Sequence, residues 1–286
     1  MIQEFFVATA ATGSGPDFIG IGLQKAGTRW LYNQLEEHPD FWMPPIKELH
    51  FFDRPFPHRS MVDKGSRRSV GADAAGFQQL LESLRKSRVP DFDIYASLFS
   101  FSGGRLTGDI TPAYSKLELP MIQAIAQRLP QVKVILMLRD PISRLWSNLN
   151  DALSRGKLDE AVVHDPVALR QVLHAEPYSY LSYPAQIYRR WAGCFPESRL
   201  RWFFLDDVIA EPEATRSRIL QYLGGDPQQK SGELSLSHNP KTGRPRAALE
   251  GAMRDCLVAE FGDELRDCAQ LFGGPAIGWL EKYGLA

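Results

Sequence analysis

Cysteine is scarce in this sequence. Its 286 residues contain three, Cys194, Cys256 and Cys268, too few and too scattered for a disulfide framework or a zinc site. A reduced, cytoplasmic setting is therefore expected. No run of about 18 apolar residues occurs, so no membrane-spanning helix is expected. Neither sign of charge dominates: 33 Lys and Arg stand against 34 Asp and Glu. That balance leaves no whole-protein field for nucleic acid or an anionic membrane. Any anion site must be local, and no nucleic-acid partner is expected. The opening MIQEFFVATAATGSGP lacks the basic and long apolar regions of a secretory signal. Internal repeats and low-complexity tracts are missing too.

What is present is an apolar fraction of 44%, enough for a sizeable core, and length for one large α/β domain or two small ones. ATGSGPD (11–17) reads as a flexible lead-in, and FIGIG (18–22) as a continuous apolar run suited to a buried parallel strand. TRWLYNQLEEH reads as a helix with Leu31 and Leu35 on one face, and the prolines of PDFWMPP end it. The stretch 54–105 is irregular around one helical patch, AAGFQQLLESLRKS. KLELPMIQAIAQRLP reads as a helix, and KVILML (133–138) is the clearest strand. RDPISRLWSNLNDAL follows as a helix, with Asp140 as N-cap and Pro141 at the first helical position. YPAQIYRRWAGCF reads as a helix, RLRWFFLDD as a third strand, and EATRSRILQYLG as a helix closed by Gly224. The tail holds a loop, SHNPKTGRPR, and a helical AALEGAMRDCLVAEF. Strands alternating with helices are the grammar of a parallel sheet covered on both faces. Ligands of such sheets bind at the carboxyl ends of the strands, where Gly22–Gly27 and Arg139 fall.

The stretch IGIGLQKAGTRW departs from a nucleotide-binding P-loop in one informative way. Gly22 and Gly27 are five apart, but Thr28 and Arg29 follow Gly27 where the Walker pattern requires Lys and then Ser or Thr. The lysine sits inside the loop instead, at Lys25. A strand, Gly-rich turn and helix offer backbone amides and a helix N-terminus to an anion, with the Thr28 hydroxyl and the Lys25 charge beside them. A plain tight turn with a solvated lysine accounts for the two glycines equally well.

The fuller string FIGIGLQKAGTRWL resembles the 5′-phosphosulfate loop of the sulfotransferases that use 3′-phosphoadenosine 5′-phosphosulfate (PAPS). KVILMLRDPISRLWSN resembles their second signature, a strand ending in Arg with a Ser eight residues later; here these are Arg139 and Ser147. KELHFFD (47–53) is similar to the segment carrying the catalytic glutamate in the heparan-sulfate-type branch, and GDITPAY (108–114) to that branch's acidic-x-Ser/Thr-Pro-x-Tyr segment. The resemblance covers about residues 17–225. It implies a three-layer α/β fold of P-loop NTPase-like type and a single sulfotransferase domain over 1–286, with 1–16 as lead-in and 54–105 as an acceptor-side lid. It also implies PAPS as donor, adenosine 3′,5′-bisphosphate as product, and no metal.

Carried onto these residues, the resemblance assigns Lys25 to the oxygen bridging sulfur and the leaving phosphate, a preplaced cation where charge develops. Gly27 and Thr28 would hold the 5′-phosphate, with Arg29 beside them and Lys25 and Ala26 also among the cofactor-binding residues. Arg139 and Ser147 would bind the 3′-phosphate, with Ser143 one turn earlier on the same face. Trp30 matches a tryptophan that stacks on adenine in the cytosolic branch; a core tryptophan is the rival reading. Glu48 is implied as general base, with His50 as its orienter or as the base itself. Lys47 reads as a surface charge.

Two departures stand out. The lysine that commonly follows the acidic residue of GDITP is Ile110 here, and the branch's late cysteine-bracketed cofactor loop is absent. HNPKTGRPR can replace that loop, with Lys241, Gly243 and Arg244 at the nucleotide, or it is a solvated surface loop. Arg59, Lys64, Arg67 and Arg68 suit an anionic saccharide or a solvated face. Tyr95, Phe99 and Tyr114 suit an acceptor pocket or the core. The acceptor is expected to be a saccharide or a small molecule such as a lipid or secondary metabolite, modified at a hydroxyl rather than an amine. Two other functions compete: a P-loop kinase-like phosphotransferase, opposed by the absence of Lys-Ser/Thr after Gly27, and a non-catalytic nucleotide-binding scaffold, kept open by Ile110.

Overall fold

FIGIG forms the first strand, β1 (Phe18–Gly22), with every residue buried. The computed structural model describes residues 15–53, 74–86, 91–174, 178, 182–230, 235 and 247–286. Most of the lead-in, the cluster Arg59, Lys64, Arg67 and Arg68, and the late-loop residues Lys241, Gly243 and Arg244 lie outside the described residues.

After β1 come α1 (Thr28–Glu36), β2 (Phe41–Trp42), α2 (Ala74–Lys86), α3 (Phe92–Ser97), β3 (Leu106–Ile110) and α4 (Leu119–Arg128). Next are β4 (Lys133–Leu138), α5 (Pro141–Leu153), α6 (Pro166–Leu173), α7 (Pro184–Ala192) and β5 (Leu200–Phe204). The chain ends with α8 (Leu205–Ala210), α9 (Pro212–Leu223), α10 (Gly251–Phe272) and α11 (Pro275–Tyr283). Local chemistry fixes several of these boundaries. Asp140 accepts from the amides of Ile142 and Ser143 and Pro141 opens α5, while Gly224 takes the left-handed conformation, φ 99°, that closes α9.

Five parallel strands lie in the order β2-β3-β1-β4-β5, flanked by helices in a three-layer α/β architecture. Strands covered on both faces read as unbroken apolar runs, as β1 and β4 do. Val134, Ile135, Leu136, Met137 and Leu138 are each 0% exposed, and burying one such side chain stabilises the fold by roughly 1.5–3 kcal/mol. Two strands escape the hydrophobic pattern. β2 has two residues inside the proline-rich PDFWMPP. β3, LTGDI, is broken by Gly108 and Asp109. Gly108 faces Phe18 across the pair, and an added Cβ there would fall 2.0 Å from the Phe18 ring, so the packing of β1 requires that interruption.

The chain leaves β1 toward β2 and leaves β4 toward β5, so connections diverge between the neighbouring strands β1 and β4. Open α/β sheets bind ligands at such a switch point. Its two walls are the Lys25 loop and Arg139.

Candidate active site

The loop after β1 is held by its own backbone. The Leu23 amide donates to the Met137 carbonyl of β4 at 2.8 Å, and the Ala26 amide to the Leu23 carbonyl at 3.1 Å. Lys25 and Gly27 have positive φ, 70° and 92°. Gly27 is also closely packed, since an added Cβ would lie 3.0 Å from Leu205 Cδ1. No side chain caps α1 and no acidic residue occupies its first turn, which leaves the first-turn amides directed at whatever lies beyond the loop. Ala26 and Thr28 are buried, Arg29 is exposed, and Trp30 is 7% exposed within the hydrophobic core. Of the two readings of Trp30, the structure places it as a core residue.

Two arginines grip the loop through its carbonyls. Arg139 Nη1 donates to the Lys25 carbonyl at 3.0 Å, and Arg144 Nη1 approaches the Gln24 carbonyl at 3.5 Å. Arg144 is fully buried, donates from Nη2 to Ser182 Oγ at 2.8 Å and, among the described residues, has no partner for Nε. Burial, with Arg139 adding repulsion, pushes its guanidinium down to about 9. Among the described residues no carboxylate pairs with it. On the other side of the loop, Lys25 Nζ lies 3.4 Å from Asp151 Oδ1, and the second Asp151 oxygen pairs with Arg155 at 2.8 Å. Burial raises the Asp151 carboxyl, but the two cations outweigh it and the net shift is downward.

Beside the loop, a cavity of about 270 Å³ holds both members of the second signature, Arg139 and Ser147, together with Ser143. Its remaining wall comes from Trp146, Asn150, Ala247, Leu249, Arg254, Lys282 and Tyr283. The sequence pattern contained no sign that α10 and α11 reach this cavity. The link is Asp140, which accepts from Ser143 Oγ at 2.8 Å, Lys282 Nζ at 2.8 Å and Tyr283 OH at 2.7 Å.

KELHFFD lies at the carboxyl end of β3, on the opposite side of the loop. Lys47 Nζ donates to Glu48 Oε1 at 2.9 Å, and His50 Nε2 lies 3.5 Å from Glu48 Oε2. His50 Nδ1 meets both Asp53 oxygens, at 3.1 and 3.0 Å. The imidazole therefore bridges two carboxylates, and Asp53 is a member that the sequence reading missed. Burial raises the Glu48 carboxyl, but His50 and Lys47 more than reverse that and bring it to about 2. Lys47 is no surface charge: its side chain is 12% exposed. Burial lowers its pKa, Glu48 opposes the shift and nearby Arg29 adds to it.

GDITPAY supports this segment from below. The Asp109 carboxylate accepts from Tyr95 OH at 3.1 Å, Tyr114 OH at 2.6 Å and Thr111 Oγ1 at 2.7 Å. Burial raises it to about 6 although the three hydroxyls pull the other way. Tyr114 OH in turn accepts from the Phe51 amide at 3.0 Å, and Thr111 Oγ1 from the His50 amide at 3.4 Å. Tyr95, Phe99 and Tyr114 belong to the buried core. Their size and aromaticity fit both settings, and the Asp109 hub decides between them. Ile110 is 0% exposed and packs against Gly20.

Among the described residues no helix is long and apolar enough to cross a membrane, and no group of three or more His, Cys, Asp or Glu is placed to hold a metal. Human heparan sulfate glucosamine 3-O-sulfotransferase 3B1 is 27% identical over 233 residues, covering 78% of this chain and 49% of that protein. Its human relative 3A1 is 26% identical over 215 residues, covering 73% and 44%. The chain thus spans about half the length of these curated relatives. A sulfotransferase from Alicyclobacillus acidocaldarius superposes with a TM-score of 0.64 at 23% identity, over 92% of this chain and 98% of that one. The sulfotransferase domain from the curacin biosynthetic pathway gives 0.54 at 14% identity, over 84% and 81%. At those identities the two structures speak for the fold. The Sulfotransferase family itself matches residues 16–228. Since that match runs from the first strand past the fifth and takes in the loop and its arginine, the chain belongs to the Sulfotransferase family.

Proposed function

We propose that this chain transfers a sulfonyl group from PAPS to a hydroxyl of a saccharide or small-molecule acceptor, in one domain spanning 1–286. The observation that carries the reading is the junction of the two signatures: Arg139, at the end of β4, donates to the carbonyl of Lys25 in the loop after β1. One anion seat and one cation-lined cavity then adjoin at the switch point, which suits a nucleotide with two separated anionic groups. The site's chemistry fits that donor. The first turn of α1 carries no competing acid or side-chain cap, and the adjoining cavity offers Arg139, Ser143 and Ser147.

Bound there, the donor supplies an activated sulfonyl group whose leaving group is a phosphate. The amides at Gly27 and Thr28 hold that phosphate, with Arg29 at the rim. Lys25 provides the positive charge that offsets negative charge developing on the leaving oxygen, once Asp151 is displaced. Arg139 and Ser147 bind the 3′-phosphate. Glu48, ionised throughout the neutral range, accepts the acceptor's proton. His50 orients it through the Asp53 contact. A carboxylate held so low is a weak base, so an acceptor hydroxyl that draws Glu48 away from Lys47 would raise its basicity. The saccharide choice of acceptor is supported by the names of the curated relatives, which act on heparan sulfate glucosamine.

The test is calorimetric titration with adenosine 3′,5′-bisphosphate, AMP and ATP, with and without Mg²⁺. Metal-independent binding that favours the bisphosphate supports the proposal. Preference for Mg-ATP would replace it with phosphoryl transfer, and no nucleotide binding would leave a scaffold.

A further inference from the structure

We infer that the C-terminal helix pair α10–α11 completes the nucleotide site, with Arg254 and Lys282 forming the second wall of the pocket for the donor's 3′-phosphate. The inference rests on the donor reading above. It concerns residues that lie past the family match, which ends at residue 228.

The cavity beside Arg139 has two walls of different origin. Arg139, Ser143 and Ser147 come from the β4–α5 turn and the first two turns of α5, and Arg254, Lys282 and Tyr283 from α10 and α11. The two are fastened together. Lys282 Nζ donates to Asp140 Oδ2 and to Ser143 Oγ, both at 2.8 Å, and Tyr283 OH donates to the same Asp140 oxygen at 2.7 Å. Arg254 Nη2 donates to the Lys282 carbonyl at 3.1 Å, and its guanidinium carbon lies 5.5 Å from the centre of the Tyr283 ring. The cations are therefore positioned on the cavity by a hydrogen-bonded frame.

Charge counting gives the ligand class. Three cationic side chains line the cavity: Arg139, Arg254 and Lys282. Asp140, the carboxylate joined to Lys282, is 3% exposed and occupied by the Ser143 hydroxyl, Lys282, Tyr283 and the two α5 amides. Asp255 lies 3.8 Å from Arg254 but is not part of the lining. A lining with three cationic side chains and no acidic one suits a doubly charged phosphate monoester, and two guanidinium groups suit its flat arrays of oxygens. A nucleoside 5′-monophosphate, seated on the loop, would leave this cavity's charge unmatched.

The experiment compares adenosine 3′,5′-bisphosphate with AMP by calorimetry on the full chain, for the parent, Arg254→Ala, Lys282→Met and Lys282→Arg. Arg254→Ala and Lys282→Met are expected to weaken bisphosphate binding tenfold or more and AMP binding less than twofold, and Lys282→Arg to retain most of the affinity. Arg254 is the cleaner probe because its side chain is 38% exposed, and a melting curve checks that each variant stays folded. Unchanged bisphosphate binding in folded Arg254→Ala and Lys282→Met, or equal losses for both nucleotides, overturns the inference. A parent that does not prefer the bisphosphate overturns the donor reading beneath it, a separate outcome visible before any variant is made.

Discussion

Arg139 donates to the carbonyl of Lys25 at 3.0 Å across 114 residues of sequence. The arginine that lines the cavity also fixes the loop, so its loss acts twice. Arg139→Ala is expected to reduce affinity for adenosine 3′,5′-bisphosphate roughly ten- to a hundredfold, the range for a lost hydrogen bond to a charged group. AMP should lose much less. Equal losses in calorimetry would mean that Arg139 serves the loop alone.

Asp151 occupies the ammonium of Lys25 at 3.4 Å, with both side chains 25% exposed. Partly exposed pairs of this kind are worth roughly 0.2–1 kcal/mol. Asp151→Asn should therefore tighten bisphosphate binding by up to about fivefold, because the Asp151 charge then no longer competes for Lys25. Weaker binding in that variant would make Asp151 a support rather than a competitor.

Glu48 separates two accounts of proton removal. Its carboxyl is held at about 2 without ligand, so it imposes no acid limb on kcat/KM in the neutral range. Glu48→Gln should lower kcat by roughly 10²- to 10⁴-fold, the usual worth of a general base. An acid limb near the ordinary imidazole value of about 6.5, retained in Glu48→Gln, would move the role to His50.

Arg144 is a buried guanidinium with no carboxylate among the described residues. Burying an uncompensated charge is costly, and an anion on the adjacent loop is the natural compensation. Arg144→Met should leave the melting temperature equal or higher while weakening nucleotide binding. A large fall in melting temperature with unchanged affinity would show Arg144 to be structural only.

Glu264 gives a pH dependence unrelated to catalysis. Its carboxylate accepts from the Ala185 amide at the start of α7 at 2.6 Å, and burial raises its pKa from 4.5 to about 7. The folded state therefore keeps a proton that the unfolded chain releases above 4.5, and stability falls as pH rises from about 4.5 to 7. Asp109, raised to about 6, acts in the same direction. Glu264→Gln keeps the acceptor without the charge and should remove a pH-dependent loss of at most about 3 kcal/mol. Denaturant melts at pH 5 and 7.5 read this directly, and an unchanged difference between the two would exclude Glu264 as its source.

Much of the nucleotide side was legible because its chemistry is local. A strand, a glycine turn and a helix cap occupy contiguous residues, so 133–138 and the Asp140 cap are found where the pattern puts them. β2 and β3 were not legible, because two residues carry no period and because Gly108 and Asp109 answer to Phe18 and to the hydroxyls of Tyr95, Thr111 and Tyr114. Asp53 is a local i, i+3 partner of His50 inside KELHFFD that the sequence reading did not single out, whereas tertiary placement hid Arg254 and Lys282. Their placement comes from tertiary contacts, and a lone charge in a sequence does not say what it faces. Ile110 shows the converse. It reads as a missing cation in a motif, whereas its position against Gly20 makes it a core residue.

The strand order has a last consequence, metric rather than chemical. β3 and β4 flank β1, and neighbouring strands lie about 4.8 Å apart. Their carboxyl ends are thus about 10 Å apart across the loop. On the proposed reading the sheet works as a ruler. Proton acceptor, phosphate seat and 3′-phosphate cavity are three marks on one rigid edge, and a nucleotide is graded by whether its charged groups reach the right marks together.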